Sequence, residues 1–511
     1  MLMWSVRRWF WDILAWLKFF ASRPLVIKRP STAWRHITPK PMIQAIPAVQ
    51  LHNVMVCARA DVPKDEQKWV HTTFYDIQVW LYKAFSPMQR RLPEIDADPQ
   101  VALKKAYKGP RRRLFDAPRM PAEFLGSPDL GSLAVRGPYA CYTQRSARRA
   151  AWEWDLRMLD NYQHHRGLLK IGSRVLFRVN KVRRSLEAYE IDCVLGNSIT
   201  PNDPEWDQAT KIVLCAASTH LSLVRHYNWV HLAGGAQLAI ATRNSLSANH
   251  PLFRLLWPYV YGTQQSNDMV TRGQMERGGD FETTFSLTFE GMCKLFDDTY
   301  LQYSHDVNDP EEYGKSRKVR GAVFDTPTQD NLEALFDVLH RYVRNYLGIY
   351  YPRKARGSNS IHQDPETLAW LGELNTVIPN GVGVNPTSFT WDELARMLAG
   401  QLYSVTVQHE ILGSCMWNYQ LWTHRQPARI YSDFRREPLD IYQRLVNSNF
   451  NLNVHRRALM DDFDSLALDY RAQLVMIQFQ ADLAKLEAQM RSQPDAVWRL
   501  YPSQLKVNIN A

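Results

Sequence analysis

Cysteine is scarce in this chain: six residues in 511 (Cys57, Cys141, Cys193, Cys215, Cys293 and Cys415), far apart and never in a C-x-x-C pair. That spacing excludes a zinc knuckle and a disulfide framework, and it makes a reducing cytosol the expected home. No stretch reaches 18 uninterrupted apolar residues, so no membrane-spanning helix is expected. Neither G-x-G-x-x-G nor G-x-x-x-x-G-K-[ST] occurs, which leaves no nucleotide-phosphate loop. Internal repeats and low-complexity tracts are also missing, and with them the solenoid architectures. Acidic residues are in deficit, 51 against 62 Lys and Arg, for a formal charge of +11. That charge allows an anionic partner: nucleic acid, a membrane surface or a carboxylate substrate. Nucleic acid is not expected, because no RNP-like aromatic motif, finger or helix-turn-helix signature accompanies the charge.

What remains is an ordinary globular composition, 45% apolar and 22% charged, long enough that length alone would allow about three domains. Its centre is residues 206–267, long, apolar and helix-periodic, with no Pro until Pro251 and with four histidines: His220, His226, His231 and His250. His226 and His231 are five residues apart. On a regular α-helix that separation is about 140°, too far round to share a ligand. A single π-turn, at roughly 4.4 residues per turn, would bring both imidazoles to one face. Two inward imidazoles on a buried helix form half of a site for Fe, Zn or Cu. The competing reading is a pair of hydrogen-bonded core histidines, and the spacing alone does not separate the two.

Around this centre the chain divides as follows. Residues 1–24 carry Trp4, Trp9, Trp11, Trp16 and Phe19 among Arg7, Arg8 and Lys18. This pattern suits a helix lying in a bilayer interface or one docked on the protein's own core. Lys28 to Pro41 reads as a Pro-punctuated basic linker, giving a boundary between 1–45 and 46–511. Asp61 to Gln67 reads as a Pro-initiated helix start with acidic residues in its first turn. Residues 86–135, rich in Pro, Gly and Arg, read as an extended, partly exposed excursion, and alternation over 173–197 predicts a small sheet. Leu335 to Tyr351 is amphipathic and helical. His409 lies in a long helical pattern within Trp391–Trp422, with Gly413 one turn later on the same face.

The wording around the histidines is more specific than their spacing. His226-x4-His231, Ile240-Ala241-Thr242-Arg243, His250-Pro251-Leu252 and Leu255-Leu256-x-Pro258 resemble the iron-binding core of the lipoxygenases. Trp206-x-x-Ala209…Lys211 and His220-Leu221 resemble that family's W-x-x-AK…HQL lead-in. Asp61-Val62-Pro63-Lys64-Asp65-Glu66 is similar to its V-P-R-D-E box, and Gly279-Asp280-Phe281-Glu282-Thr283-Thr284-Phe285 to its G-x-x-E-T-T-F. Asp364-Pro365-Glu366 with Trp370-x-x-Glu373 continues the order, and Asn418 to Ile430 looks like a worn FGQY…NRP segment. The departures are one extra residue between His220 and His226, one more between His231 and Ile240, and Gly413 where the family's H-x-x-x-N places an Asn. Asn418, nine residues beyond His409, cannot replace that Asn without a register change.

The resemblance implies a mainly α fold: a single large lipoxygenase-like helical catalytic domain with a long central core helix and a minor β-sheet. It implies a short form without the family's N-terminal β-barrel, because few residues precede the catalytic boxes. It implies one Fe(II)/Fe(III) per chain, with Mn a substitute, held by His226, His231, His409 and the carboxylate of Ala511. The family's terminal residue is typically Ile, so Ala511 forgoes an apolar anchor of roughly 1.5–3 kcal/mol. The implied reaction inserts O2 into the cis,cis-1,4-diene of a polyunsaturated fatty acid, by hydrogen abstraction at Fe(III)–OH, and gives a hydroperoxide. Val270 falls at the family's oxygen-gating position, His220 and His250 are supporting rather than ligating groups, and Arg243 pairs with a buried carboxylate or a substrate head group. At Gly413 the missing side chain would leave room for water or substrate beside the metal. Two other functions stay open. One is a diverged iron oxygenase or isomerase acting on another lipid-like or biosynthetic small molecule; the other is a metal-free, membrane-associated binding protein. Peripheral membrane contact, if made, falls to residues 1–24.

Overall fold

The computed structural model describes residues 27–30, 36–67, 120–147, 150–354, 360–435, 457–494 and 498–509, with isolated positions at 13, 73, 76, 77, 80 and 445. The N-terminal aromatic segment, most of the 86–135 excursion and Ala511 therefore lie outside the described residues. Among those described, no helix is long and apolar enough to cross a membrane.

One helix (α1) runs unbroken through residues 206–245 in three segments: α-helical Trp206–His220, π-helical Leu221–Ala236 and α-helical Gln237–Ser245. Its sequence is apolar or small on nearly every face, and a helix of that kind is stable only when surrounded. It is surrounded. From Ala209 to Arg243 almost every side chain is buried. The widening is not the single turn expected from the His226–His231 spacing but a run of 16 residues.

The other main helices are α2 (Pro251–Val260), α3 (Thr263–Gln274), α4 (Phe289–Tyr300), α5 (Pro327–Tyr350), α6 (Pro365–Val377), α7 (residues 391–420) and α8 (Tyr470–Arg491). The π segment of α1 meets α3, α4 and α7, while its last segment packs on α6. The amphipathic stretch Leu335–Tyr351 forms most of α5, whose apolar face packs on α7 and α8. There Tyr342 stacks on Phe479 at 4.2 Å.

The β-structure is minor and precedes α1. A two-stranded sheet pairs β1 (Lys40–Pro41) with β2 (Met55–Val56). An antiparallel five-stranded sheet has the order β3 (Gln144–Arg145), β4 (Trp152–Asp155), β5 (Arg174–Asn180), β6 (Ser185–Cys193) and β7 (Gly196–Ile199). Alternation over 173–197 locates its two longest strands, β5 and β6; β3, β4 and β7 carry too few residues to show a period. All six cysteines are free.

Three local expectations change. The described end of the 86–135 excursion is partly exposed as expected but not extended: it forms the short helical turns Ala122–Phe124 and Leu130–Leu133, with Phe124, Leu130 and Leu133 buried, and a Cβ on Gly131 would fall 2.0 Å from the Leu186 carbonyl oxygen. The described parts of the basic linker are docked, with the Trp257 indole N–H donating to the Lys28 carbonyl (2.7 Å) and Asn244 exchanging hydrogen bonds with the Ile37 backbone. Asp61–Gln67 opens with a 3-10 turn, Arg59–Asp61, and a hydrogen-bonded turn follows rather than a helix start. Its acids hold the core together instead. Fully buried Arg243 donates to Glu66 (2.7 Å) and Asp65 (3.0 Å) and lies over the Trp257 ring. Glu66 also accepts from the backbone N–H groups of Gln264 and Gln265 at the start of α3. Burial pushes the Glu66 carboxyl upward, and Arg243 opposes that rise.

The C-terminal segment is threaded inward. Leu505, Val507 and Ile509 are buried, and the Asn508 amide donates to the Pro258 and Tyr261 carbonyls at 3.1 and 3.4 Å. Gly235 admits it: a Cβ there would lie 2.6 Å from Ile509 Cδ1 and 2.9 Å from the Val230 carbonyl oxygen.

Gly235→Ala is therefore expected to lower unfolding free energy by about 1–3 kcal/mol, as overpacking does. Ile509→Val in the same chain should recover part of it, read from urea midpoints. Arg243→Met leaves Glu66 buried and unpaired and should cost about 3–5 kcal/mol. The double variant Arg243→Met/Glu66→Leu should be markedly more stable than Arg243→Met in the same titration.

Candidate metal centre

Three buried imidazoles converge between α1 and α7. His226, His231 and His409 each offer a nitrogen, and these atoms lie within 4.8 Å of one another. Ring centroids are 4.9 Å apart for His226–His231, 4.8 Å for His226–His409 and 4.9 Å for His231–His409. The helix geometry explains the meeting. At roughly 4.4 residues per turn, five residues come round to within about 50°, against about 140° on an α-helix. α7 is widened at the same level: Trp391–Tyr403 is α-helical, Ser404–Gln408 and Ile411–Cys415 are π-helical, and Met416–Gln420 returns to α. His409 sits between its two π segments.

Two of the rings are aimed by outward hydrogen bonds. The Asn267 amide donates to the His231 carbonyl (3.2 Å), so its oxygen faces His231 Nδ1 at 3.1 Å and must accept from it. His409 Nδ1 donates to Glu410 Oε1 at 3.1 Å. Both Nδ1 atoms then carry the proton, and both Nε2 atoms present lone pairs to each other across 3.0 Å. Two lone pairs so placed repel unless a cation or a proton lies between them. The set suits a metal: neutral imidazoles whose tautomers are fixed by hydrogen bonds behind the ring, in a buried place with no thiolate. Such donors take divalent iron, zinc, copper or nickel.

Asn267 escaped the sequence reading. It lies 36 residues from His231, within the polar run of residues 263–268, whose burial is visible only in the structure. Glu410, adjacent to His409, was in plain view but carries no motif.

The other candidate positions are placed as follows. Gly413 faces His226: a Cβ would lie 2.9 Å from Nε2 and 3.1 Å from Cε1. The room expected for water or substrate at that glycine is thus taken by the His226 ring. Val270 is buried on α3, one turn beyond Asn267. His250 caps α2, accepting from the Leu252 N–H, and its Nε2 meets Asp364 Oδ2 at 2.6 Å, tying α2 to the start of α6. His250 and its Tyr351 neighbour hold Asp364 well below the ordinary carboxylate range. Arg243 is in the ion pair described above. Ala511 lies outside the described residues; Ile509, two positions earlier, packs against Gly235, four residues along α1 from His231.

His220 bonds through Nδ1 to the Tyr142 hydroxyl at 2.9 Å. Burial, aided by Arg225, lowers its pKa to about 3, and burial lowers His305 and His424 to about 4. Their folded values lie below the unfolded value of about 6.5, so the unfolded chain binds more protons below that pH. Stability is full above pH 6.5 and declines towards pH 4. Urea midpoints should fall between pH 7.5 and pH 5, with a shallower slope in His220→Gln.

Comparison with known proteins agrees with this geometry. The Lipoxygenase family model matches residues 194–430, which contain all three histidines. A chloroplastic linoleate 13S-lipoxygenase 2-1 of Solanum tuberosum is 29% identical over 186 residues, 34% of this chain and 20% of that protein. The hydroperoxide isomerase ALOXE3 of Homo sapiens is 24% identical over 233 residues, 45% of this chain and 32% of that one. The match thus spans at most a third of either relative's length. A solved calcium-dependent 11R-lipoxygenase superposes with a TM-score of 0.76 at 17% identity, over 93% of this chain and 78% of that one. That likeness extends the common fold across nearly the whole chain. The family match over residues 194–430, the curated lipoxygenase relatives and the shared fold together support a diverged lipoxygenase.

Proposed function

We propose that this protein is a non-haem iron dioxygenase that inserts O2 into the cis,cis-1,4-diene of a polyunsaturated fatty acid and yields a hydroperoxide. The observation that carries the reading is the convergence of three buried imidazoles, two of them with tethers that leave Nε2 aimed inward. His226, His231 and His409 would hold one Fe(II)/Fe(III), with the Ala511 carboxylate as a fourth ligand; Mn accepts the same donors, whereas Zn lacks the redox cycle. Bound iron supplies the one-electron chemistry that takes a hydrogen atom from a doubly allylic CH2 and leaves a carbon radical open to O2. The protein's part is to bind, orient and exclude. Asn267 and Glu410 fix the His231 and His409 tautomers and ring directions. The all-round packing of α1 would keep water from the centre, and Val270, buried on α3 one turn from Asn267, would bias where O2 adds. We assign any peripheral membrane contact to residues 1–24 and place the protein in the cytoplasm.

A second reading rests on Gly413. With the His226 ring packed against Gly413, a metal here would lack the side-chain ligand that the family's Asn would offer. A relative named as a hydroperoxide isomerase makes rearrangement of a preformed hydroperoxide the alternative.

Metal content of the purified protein, with oxygen uptake on linoleate and arachidonate, decides between them. About one iron per chain, with conjugated-diene absorbance growing, supports the dioxygenase. Iron without uptake, but with consumption of a fatty acid hydroperoxide, supports the isomerase. No iron after refolding with excess Fe(II) would sink both. His409→Ala should abolish metal binding, and Asn267→Leu should weaken it about 10–100-fold.

A further inference from the structure

A narrow cleft beside the metal centre contains buried positive charge with no acid to match it. Arg225, Arg317, Tyr313, Tyr403, Cys141 and Leu412 are among its lining residues. Arg225 immediately precedes His226 on α1, and Tyr403 is six residues before His409 on α7. Arg225 is 6% exposed, and its one hydrogen bond among the described residues goes to the Tyr313 hydroxyl. Its guanidinium otherwise meets the rings of Tyr142, Trp229 and Tyr313 at 5.6, 5.4 and 5.1 Å. The Arg317 guanidinium lies 4.3 Å from the centroid of the same Tyr313 ring and donates to the Ala140 and Thr143 carbonyls and to Gln329. The Tyr403 hydroxyl has no hydrogen-bond partner among the described residues.

Neither guanidinium has a carboxylate partner among the described residues. The acid whose charge reaches Tyr403 is Asp309, and Asp309 is already engaged by Arg396 and by the N–H groups of Glu311 and Glu312. The two arginines also repel one another. Ring faces offset part of the desolvation of Arg225, yet a buried charge is ordinarily matched by an opposite one. A carboxylate at this place would neutralise one guanidinium, accept from Arg225 and from the Tyr403 hydroxyl, and leave an apolar tail among Leu332, Ile411 and Leu412.

We propose that this cleft binds the carboxylate of a long-chain apolar acid, with Arg225 and the Tyr403 hydroxyl as its anchors and Arg317 adding charge. This deepens the dioxygenase reading by assigning the head-group end of the substrate, and it rests on that reading only for the identity of the tail. Binding is tested apart from turnover with oleate, which lacks a 1,4-diene, followed by tryptophan fluorescence, for which Trp229 against Arg225 is a local reporter. Oleyl alcohol is the uncharged control, and iron content is measured in every preparation. The expected result is oleate bound at least about tenfold more tightly than oleyl alcohol. That preference should vanish in Arg225→Met and shrink in Tyr403→Phe, with iron content unchanged. Equal binding of acid and alcohol, or an acid preference that survives in Arg225→Met, would overturn the proposal. Should Arg225→Met not fold, an undiminished preference in Tyr403→Phe overturns it equally. Absence of iron with the acid preference intact would sink the dioxygenase reading and leave this one standing.

Discussion

Everything at the centre depends on two helices being wider than α where they face each other. Imidazoles five residues apart cannot share a ligand on an α-helix, and the π segment Leu221–Ala236 removes that obstacle by slowing the angular advance per residue. The widened turns of α7 bring His409 to the same level. Such winding is rare, and tertiary packing sustains it here. The segment is buried almost throughout, Gly235 lets Ile509 close against it, and Asn228 donates from its face to the Phe296 carbonyl and the Thr299 hydroxyl. A helix relaxed to α geometry would rotate its side chains out of all these contacts at once.

The same burial governs the charged groups. Arg243 and Glu66 show the usual solution, opposite charges with further hydrogen bonds, and they join α1, α3 and the segment before the excursion. The metal centre shows another: imidazoles kept neutral and aimed by groups behind them. Arg225 follows neither pattern, being surrounded by rings instead of acids.

Much of the fold was legible in the chain. The absence of proline through 206–250 and the apolar character of every face point to one long buried helix. The amphipathic pattern of 335–351 marks most of α5, and the alternation of 173–197 marks β5 and β6. The three histidines that converge were named from ordered wording rather than from geometry. The acids of Asp61–Gln67 were misread, because a Pro followed by acids looks the same whether those acids start a helix or cross the core to an arginine 177 positions away.

Local pattern, therefore, determined which segments are helical, which faces are buried and which residue types could bind a metal, because periodicity and propensity act within a few turns. Only the tertiary structure decided the extent of the π winding, the partnership of Asn267 with His231, the filling of the Gly413 space by His226 and the isolation of Arg225. Each of these depends on contacts between segments far apart in sequence, from 36 residues for Asn267 and His231 to 274 for Ile509 and Gly235, where no short-range period carries information, and on the close packing that lets one side chain occupy what another leaves empty.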